Sequence, residues 1–169
     1  MEVFDAVRTL RAIRAFRDTP VPEPVVRKVV EAARLTASSI NKQPWHFVVV
    51  QDRDTLRQLG RLARTGPYIA QAPLAIAVAI ERASPFGVSD ASRAIQDMVL
   101  VAWAEGVGSN WVGFGGLEAA ASLLGLPSEL ELLAIVPFGY PAQAPSRRKK
   151  QRKPLAEVAS RERFGQPFA

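Results

Sequence analysis

The chain has 169 residues, enough for one domain with a buried core, and its 48% apolar and 22% charged content is ordinary for a globular protein. The absence of cysteine excludes disulfides, thiolate nucleophiles, cysteine zinc sites and cysteine-ligated iron–sulfur clusters, and it fits a reducing cytoplasm. The net charge of +6 is local: Arg147, Arg148, Lys149, Lys150, Arg152 and Lys153 form a run with no intervening acid, and the rest of the 22 basic residues equal the 16 acidic ones in number.

In chain order, Glu2 to Leu10 sets Val3, Phe4, Val7 and Leu10 on one face at helical spacing. The early acids and the lack of a long apolar run argue against a signal peptide. After Pro20-Val21-Pro22 a second helix is predicted, with Val25, Val26, Val29, Val30 and Ala33 inward and Arg27, Lys28, Glu31 and Arg34 outward. A polar loop, Ser38-Ser39-Ile40-Asn41, then runs through Gln43-Pro44-Trp45 into a β-branched strand at Phe47 to Val50. Such a loop offers hydroxyls, an amide and main-chain N–H groups to a flat polar ligand.

Asp54 to Ala63 reads as a short amphipathic helix, and Pro73 to Ile80 as a strand apolar enough to be covered on both faces. Ser89 is the predicted N-cap of a long helix from Asp90 to about Glu105. Its wide apolar stripe predicts burial nearly all round, either centrally or in a subunit interface. Gly106 and Gly108 end it. A strand at Asn110 to Phe114, a helix at Leu117 to Leu124 and a strand at Glu131 to Phe138 follow. Beyond Pro141 no strong hydrophobic period remains, but Leu155, Val158, Phe164 and Phe168 are possible anchors. Strands alternating with helices predict a three-layer α/β or α+β domain.

Several chemistries lack support. Gly106-Val107-Gly108-Ser109-Asn110-Trp111 fails the dinucleotide pattern GxGxxG at Trp111, and no P-loop pattern occurs. His46 is the only histidine, which rules out a histidine cluster and leaves a structural or surface role as its expected one. A nucleic-acid module using the basic run is an alternative, but such modules more often spread their charge over a face or a helix. Arg11, Arg14 and Arg17 recur every three residues at or just beyond the first helix. Alone they read as a solvated face, and so does the basic run. Together with the polar loop they suggest a ligand with an anionic end and a flat polar end.

These segments, in this order, resemble the nitroreductase family of FMN-dependent oxidoreductases over nearly the whole chain. Leu10-Arg11-Ala12-Ile13-Arg14-Ala15-Phe16 is similar to the family's RRSIRxF-like motif, and Thr36 to Phe47 to its APSxxNxQPWxF motif. Gly106-Val107-Gly108 stands for a GLG-like turn, and Gly139-Tyr140-Pro141 precedes a basic segment that ends Arg152-Lys153-Pro154-Leu155. The chain departs from the motifs at Leu10, Ala12 and Ala37.

The resemblance implies a single domain, residues 1–169, with a three-layer α+β nitroreductase-like fold: a central mixed β-sheet flanked by helices, in an intertwined homodimer. Residues 142–169 would be an extension lying on the partner subunit. It implies FMN as cofactor, held by Arg11, Ala12 and Arg14, by Ser38, Ser39 and Asn41 (often from the partner), by the backbone at Val112 and Gly113, and by Lys150 and Arg152 at the phosphate. It further implies an enzyme that takes hydride from NADH or NADPH and reduces a nitroaromatic, quinone or similar small acceptor in a ping-pong cycle. Other flavin chemistries of the superfamily, namely dehalogenation, flavin destruction and azoline oxidation, remain open alternatives.

Overall fold

The structure, a computed structural model, describes every residue except Phe114, Arg147 and Ala169. Six helices and four strands follow one another along the described chain: α1 (Val3–Thr9), α2 (Glu23–Arg34), β1 (Trp45–Val50), α3 (Arg53–Leu62), β2 (Leu74–Glu81), α4 (Gly87–Ala104), β3 (Gly108–Ser109), α5 (Glu118–Leu123), β4 (Leu130–Gly139) and α6 (Leu155–Val158).

The sheet has the order β1-β2-β4-β3, and every strand pairing is antiparallel. Among the described residues its one parallel element is a single bridge from Ala12 to Ser109, so the mixed character seen there lies at that edge. Strand β2 lies in the middle, paired to β1 from Trp45↔Ile80 to Val50↔Ala75 and to β4 from Leu74↔Phe138 to Glu81↔Leu130.

Because side chains alternate along a strand, β2 feeds two cores. Leu74, Ile76, Val78 and Ile80 pack with α2 and α4 residues such as Val29, Ala94 and Met98. Ala75 and Ala77 pack with Leu56, Leu59, Ile69 and Ala120 on the other side, under α3 and α5. Residues 74–80 are thus almost wholly buried, which explains the unbroken apolar run. The result is a three-layer α+β domain. No helix among the described residues is long and apolar enough to cross a membrane.

Local chemistry sets the element ends. Asp52 caps α3 by accepting from Thr55 N at 2.8 Å and Thr55 Oγ1 at 2.7 Å. Helix α4 begins at Gly87, three residues before the predicted start, with Phe86 at the N-cap position. Ser89 is not the cap: its hydroxyl donates to Phe86 O at 3.0 Å, and Asp90 N already makes a helical bond to the same oxygen. At the other end Gly106, at φ +77°, allows a Schellman turn, with Gly106 N on Trp103 O and Val107 N on Ala102 O.

One further expectation is corrected. The strand predicted at Asn110 to Phe114 shortens to Gly108–Ser109 plus one bridge, Val112↔Ile135, because Asn110 turns its amide to the Tyr68 hydroxyl; Phe114 lies outside the described residues. Within this single chain helix α4 is buried on one face, with Arg93, Gln96 and Ala104 exposed. Helix α1 buries Ala6, while Val3 (74% exposed), Phe4 (75%) and Val7 (48%) face outward. Leu155, Val158, Phe164 and Phe168, expected to pack on a partner subunit, are exposed on this single chain.

Candidate functional site

The arginine segment leaves α1 and runs extended along the sheet edge. Ile13 N donates to Ser109 O at 2.9 Å and Arg17 N to Tyr140 O at 2.8 Å, while Phe16 bridges Pro141. Gly108 makes this approach possible, since a Cβ there would lie 2.4 Å from Ile13 Cγ1. Ala12 pairs with Ser109 through its backbone in a parallel bridge. Arg11 is half-buried, whereas Arg14 is exposed and Arg17 Nε is bound to Pro141 O at 3.1 Å.

Arg11 reaches 135 residues along the chain. Its Nε donates to Ser146 O at 3.3 Å and its Nη2 to Arg148 O. Lys150 Nζ donates to Val7 O at 2.8 Å, among the last carbonyls of α1. Arg152 Nη1 donates to Gln151 O. The basic run is therefore folded back onto the arginine segment; its Arg147 lies outside the described residues.

Together they line a cavity of about 920 Å³ that holds Arg8, Arg11, Arg148, Lys149, Lys150 and Arg152, with Phe4 and Trp103 as apolar walls. No acidic residue is among the described lining residues. Burial, and then the charges of Arg11 and Arg152, push the Lys150 ammonium below the ordinary lysine value. Arg8 is paired with Asp5 at 2.9 Å, but Arg11 and Lys150 are drawn together over main-chain carbonyls, and cations so placed fit a phosphate.

The Thr36–Gln43 loop is strained. Ile40 (φ 45°), Asn41 (φ 55°) and Gln43 (φ 52°) all occupy the left-handed region. Asparagine tolerates it, but a β-branched residue does so rarely, and each such position costs about 1–3 kcal/mol. Internal bonds hold the shape: Gln43 N donates to Ser38 Oγ at 2.9 Å, and Gln43 Nε2 to Asn41 Oδ1 at 3.1 Å. External bonds tie it to α4. Ser39 N donates to Asp90 Oδ2 at 3.0 Å, and Thr36 Oγ1 to Asp97 Oδ2 at 2.6 Å. Ser38 and Ser39 are half-buried and Asn41 is exposed.

Val112 is buried under its bridge to Ile135, with mutual N–H···O distances of 3.0 and 2.8 Å. It also borders a second cavity of about 330 Å³ with Arg64, Thr65, Gly115 and Gly116. A Cβ on Gly113 would stand 2.7 Å from Leu133 O, so that position must be glycine for the chain to lie against β4.

One chain therefore brings together Arg11, Lys150 and Arg152. Among the described residues, the cavity they line includes neither Ser38, Ser39 and Asn41 nor Val112 and Gly113. Sequence reasoning passed over Arg8 and Trp103 in the cavity, and Asp90 and Asp97 beneath the loop. A signal for the aspartates existed: Asp90 sits on the inward stripe of α4 with Ala94 and Met98, and a charge at such a position needs a partner.

The comparisons agree with this architecture. The model of the nitroreductase family matches residues 7–75 and 62–140. A provisionally named NADH dehydrogenase/NAD(P)H nitroreductase of Methanothermobacter thermautotrophicus is 34% identical, over 88% of this chain and 82% of its own. An NAD(P)H FMN reductase of Bacillus subtilis is 27% identical, over 96% of this chain and 74% of its own. A provisionally named nitroreductase of Desulfovibrio desulfuricans, crystallised with FMN, superposes with a TM-score of 0.80 at 31% identity, covering 97% of this chain and 98% of that one. The chain belongs to the nitroreductase family.

Proposed function

We propose that this protein is an FMN-dependent oxidoreductase that takes hydride from NADH or NADPH and reduces a nitroaromatic, quinone or similar small acceptor by a ping-pong cycle. The observation that carries the reading is the convergence of Arg11, Lys150 and Arg152 on one cavity without an acidic neighbour among its described lining residues. When bound, FMN supplies the hydride chemistry itself, so no protein nucleophile is required.

The chain's own residues have separable tasks. Lys150 and Arg152 bind the phosphate, with Arg11 closing the segment that carries them. Arg14, exposed and beside the Ala12–Ser109 bridge, supplies positive charge for the reduced ring. Ser38, Ser39 and Asn41 contribute hydrogen bonds to the ring, and the backbone at Val112 and Gly113 borders its reactive edge.

These groups do not share one cavity in a single chain, and the apolar faces of α1 and of residues 142–169 are uncovered. A homodimer meets both needs: a second copy covers those faces and brings its Ser38–Asn41 loop to this chain's phosphate site. The site chemistry is compatible with a cytoplasmic location, where NADH and NADPH are present.

The purified protein is expected to be yellow and to release about one FMN per subunit, the stoichiometry of one phosphate cradle per chain. A colourless protein that takes up no added FMN would refute the reading. Anaerobic reduction by NADH and by NADPH, followed by a panel of acceptors, separates nitroreduction from dehalogenation and the other flavin chemistries.

A further inference from the structure

We propose that Asp90 and Asp97, two turns apart on α4, are positioning residues that hold the strained Thr36–Gln43 loop in its ligand-presenting shape. The inference rests on the FMN reading above, because it assigns that loop to the flavin.

Asp90 is fully buried, yet it carries a carboxylate. One oxygen pairs with Arg93, whose side chain is 53% exposed, and the other accepts the main-chain N–H of Ser39 at 3.0 Å. Burying a carboxylate is costly, and an apolar residue of similar volume would fill the same space more favourably. What the apolar residue cannot do is accept the Ser39 N–H. That donor stands at the start of a 3-10 turn, where no preceding carbonyl of the turn is available to it, and the left-handed run begins at the next residue.

Asp97 makes the second tie. It accepts from Thr36 Oγ1 at 2.6 Å, just after α2 ends at Arg34. The loop is thus held at a side chain on one side and at a main-chain N–H three residues later, both from the same rigid helix. The Ser38 Oγ–Gln43 N bond then closes the remaining turn. Strain of this kind persists only where the surroundings over-determine it. The two carboxylates supply that constraint before any ligand binds, so less ordering is left to be done on binding.

The test compares Asp90→Ala, Asp90→Asn, Asp97→Ala and Thr36→Val. In FMN-free protein, D90A is expected to raise amide exchange across residues 39–43 at least about tenfold while the α4 amides stay protected. Its FMN Kd should weaken about tenfold or more, and D90N, whose amide oxygen can still accept from Ser39, should return it to within about threefold of wild type.

D97A and T36V should each speed loop exchange, by a smaller factor. A folded D90A with wild-type loop exchange and wild-type FMN affinity overturns the proposal, and so does a D90N as impaired as D90A. If D90A does not fold, unchanged loop exchange in both D97A and T36V overturns it. Failure of the FMN reading is seen separately, as a wild-type protein that takes up no FMN, because the exchange measurement needs no flavin.

Discussion

Lys150 Nζ donates to Val7 O at 2.8 Å across 143 residues, and this bond closes the C-terminal basic segment onto the end of the first helix. It places a cation where its own environment disfavours the charge: burial, Arg11 and Arg152 all lower the Lys150 pKa. An anion reverses that balance.

Lys150→Met is therefore expected to weaken FMN binding about 10–100-fold, the range for losing a charge-assisted hydrogen bond, while leaving Tm unchanged or raised. The pH dependence has a definite sign. Between the lowered folded pKa and the ordinary lysine value, the unfolded chain holds more protons, so stability rises with pH across that window; below it, the full cost of the crowded charge is present. FMN affinity should fall as pH rises through the same folded pKa, and K150M should lack that alkaline loss. Fluorescence titration of FMN from neutral to alkaline pH checks both.

Ile40→Gly tests the strain in the loop. Ile40 is 80% exposed and sits at φ 45°, so the substitution removes little buried area and relieves the left-handed cost of a β-branched residue. The Tm of the flavin-free protein should hold or rise by about 1–3 °C. A clear drop would show that the Ile40 side chain contributes packing.

Asp52→Ala removes the α3 cap. The Thr55 hydroxyl and then its main-chain N–H hold the Asp52 carboxyl below the ordinary aspartate range. The cap's contribution is present above the unfolded aspartate pKa and is lost as pH falls through the folded value. Near neutral pH the variant should melt about 2–4 °C lower, and the gap should close at low pH. Asp52→Ser should retain most of the wild-type Tm.

Removal of residues 146–169 should abolish measurable FMN retention on gel filtration, since Lys150 and Arg152 leave with it. It should also shift the protein toward monomer, because Leu155 and Val158 are more than half exposed on this chain and need a covering surface. Light scattering and FMN titration read the two effects separately. Unchanged affinity would refute the phosphate assignment.

The elements were legible where burial imposed a period. Strand β2 announced itself through an unbroken apolar run, and α2 through its inward valines, because both faces of one and one face of the other meet the core. The resemblance carried by the arginine motif and by Asn41-Lys42-Gln43-Pro44-Trp45 pointed to the family now shown by the comparisons. What the local pattern missed at the start of α4 was the role of a side chain whose partner is distant in sequence. Asp90 was read as the first helical residue after a Ser89 cap; in the fold its carboxylate belongs to Ser39, 51 residues away.

By itself, then, the sequence determined most of the elements, the three-layer class and the identity of the basic and polar groups, because periodicity and residue chemistry are local properties. Only the tertiary structure decided that Arg11 and Lys150 line one cavity, that Asp90 and Asp97 of α4 bond the strained loop, and that the apolar face of α1 points away from its own core. Those facts depend on which distant groups desolvate one another, and no local pattern encodes that.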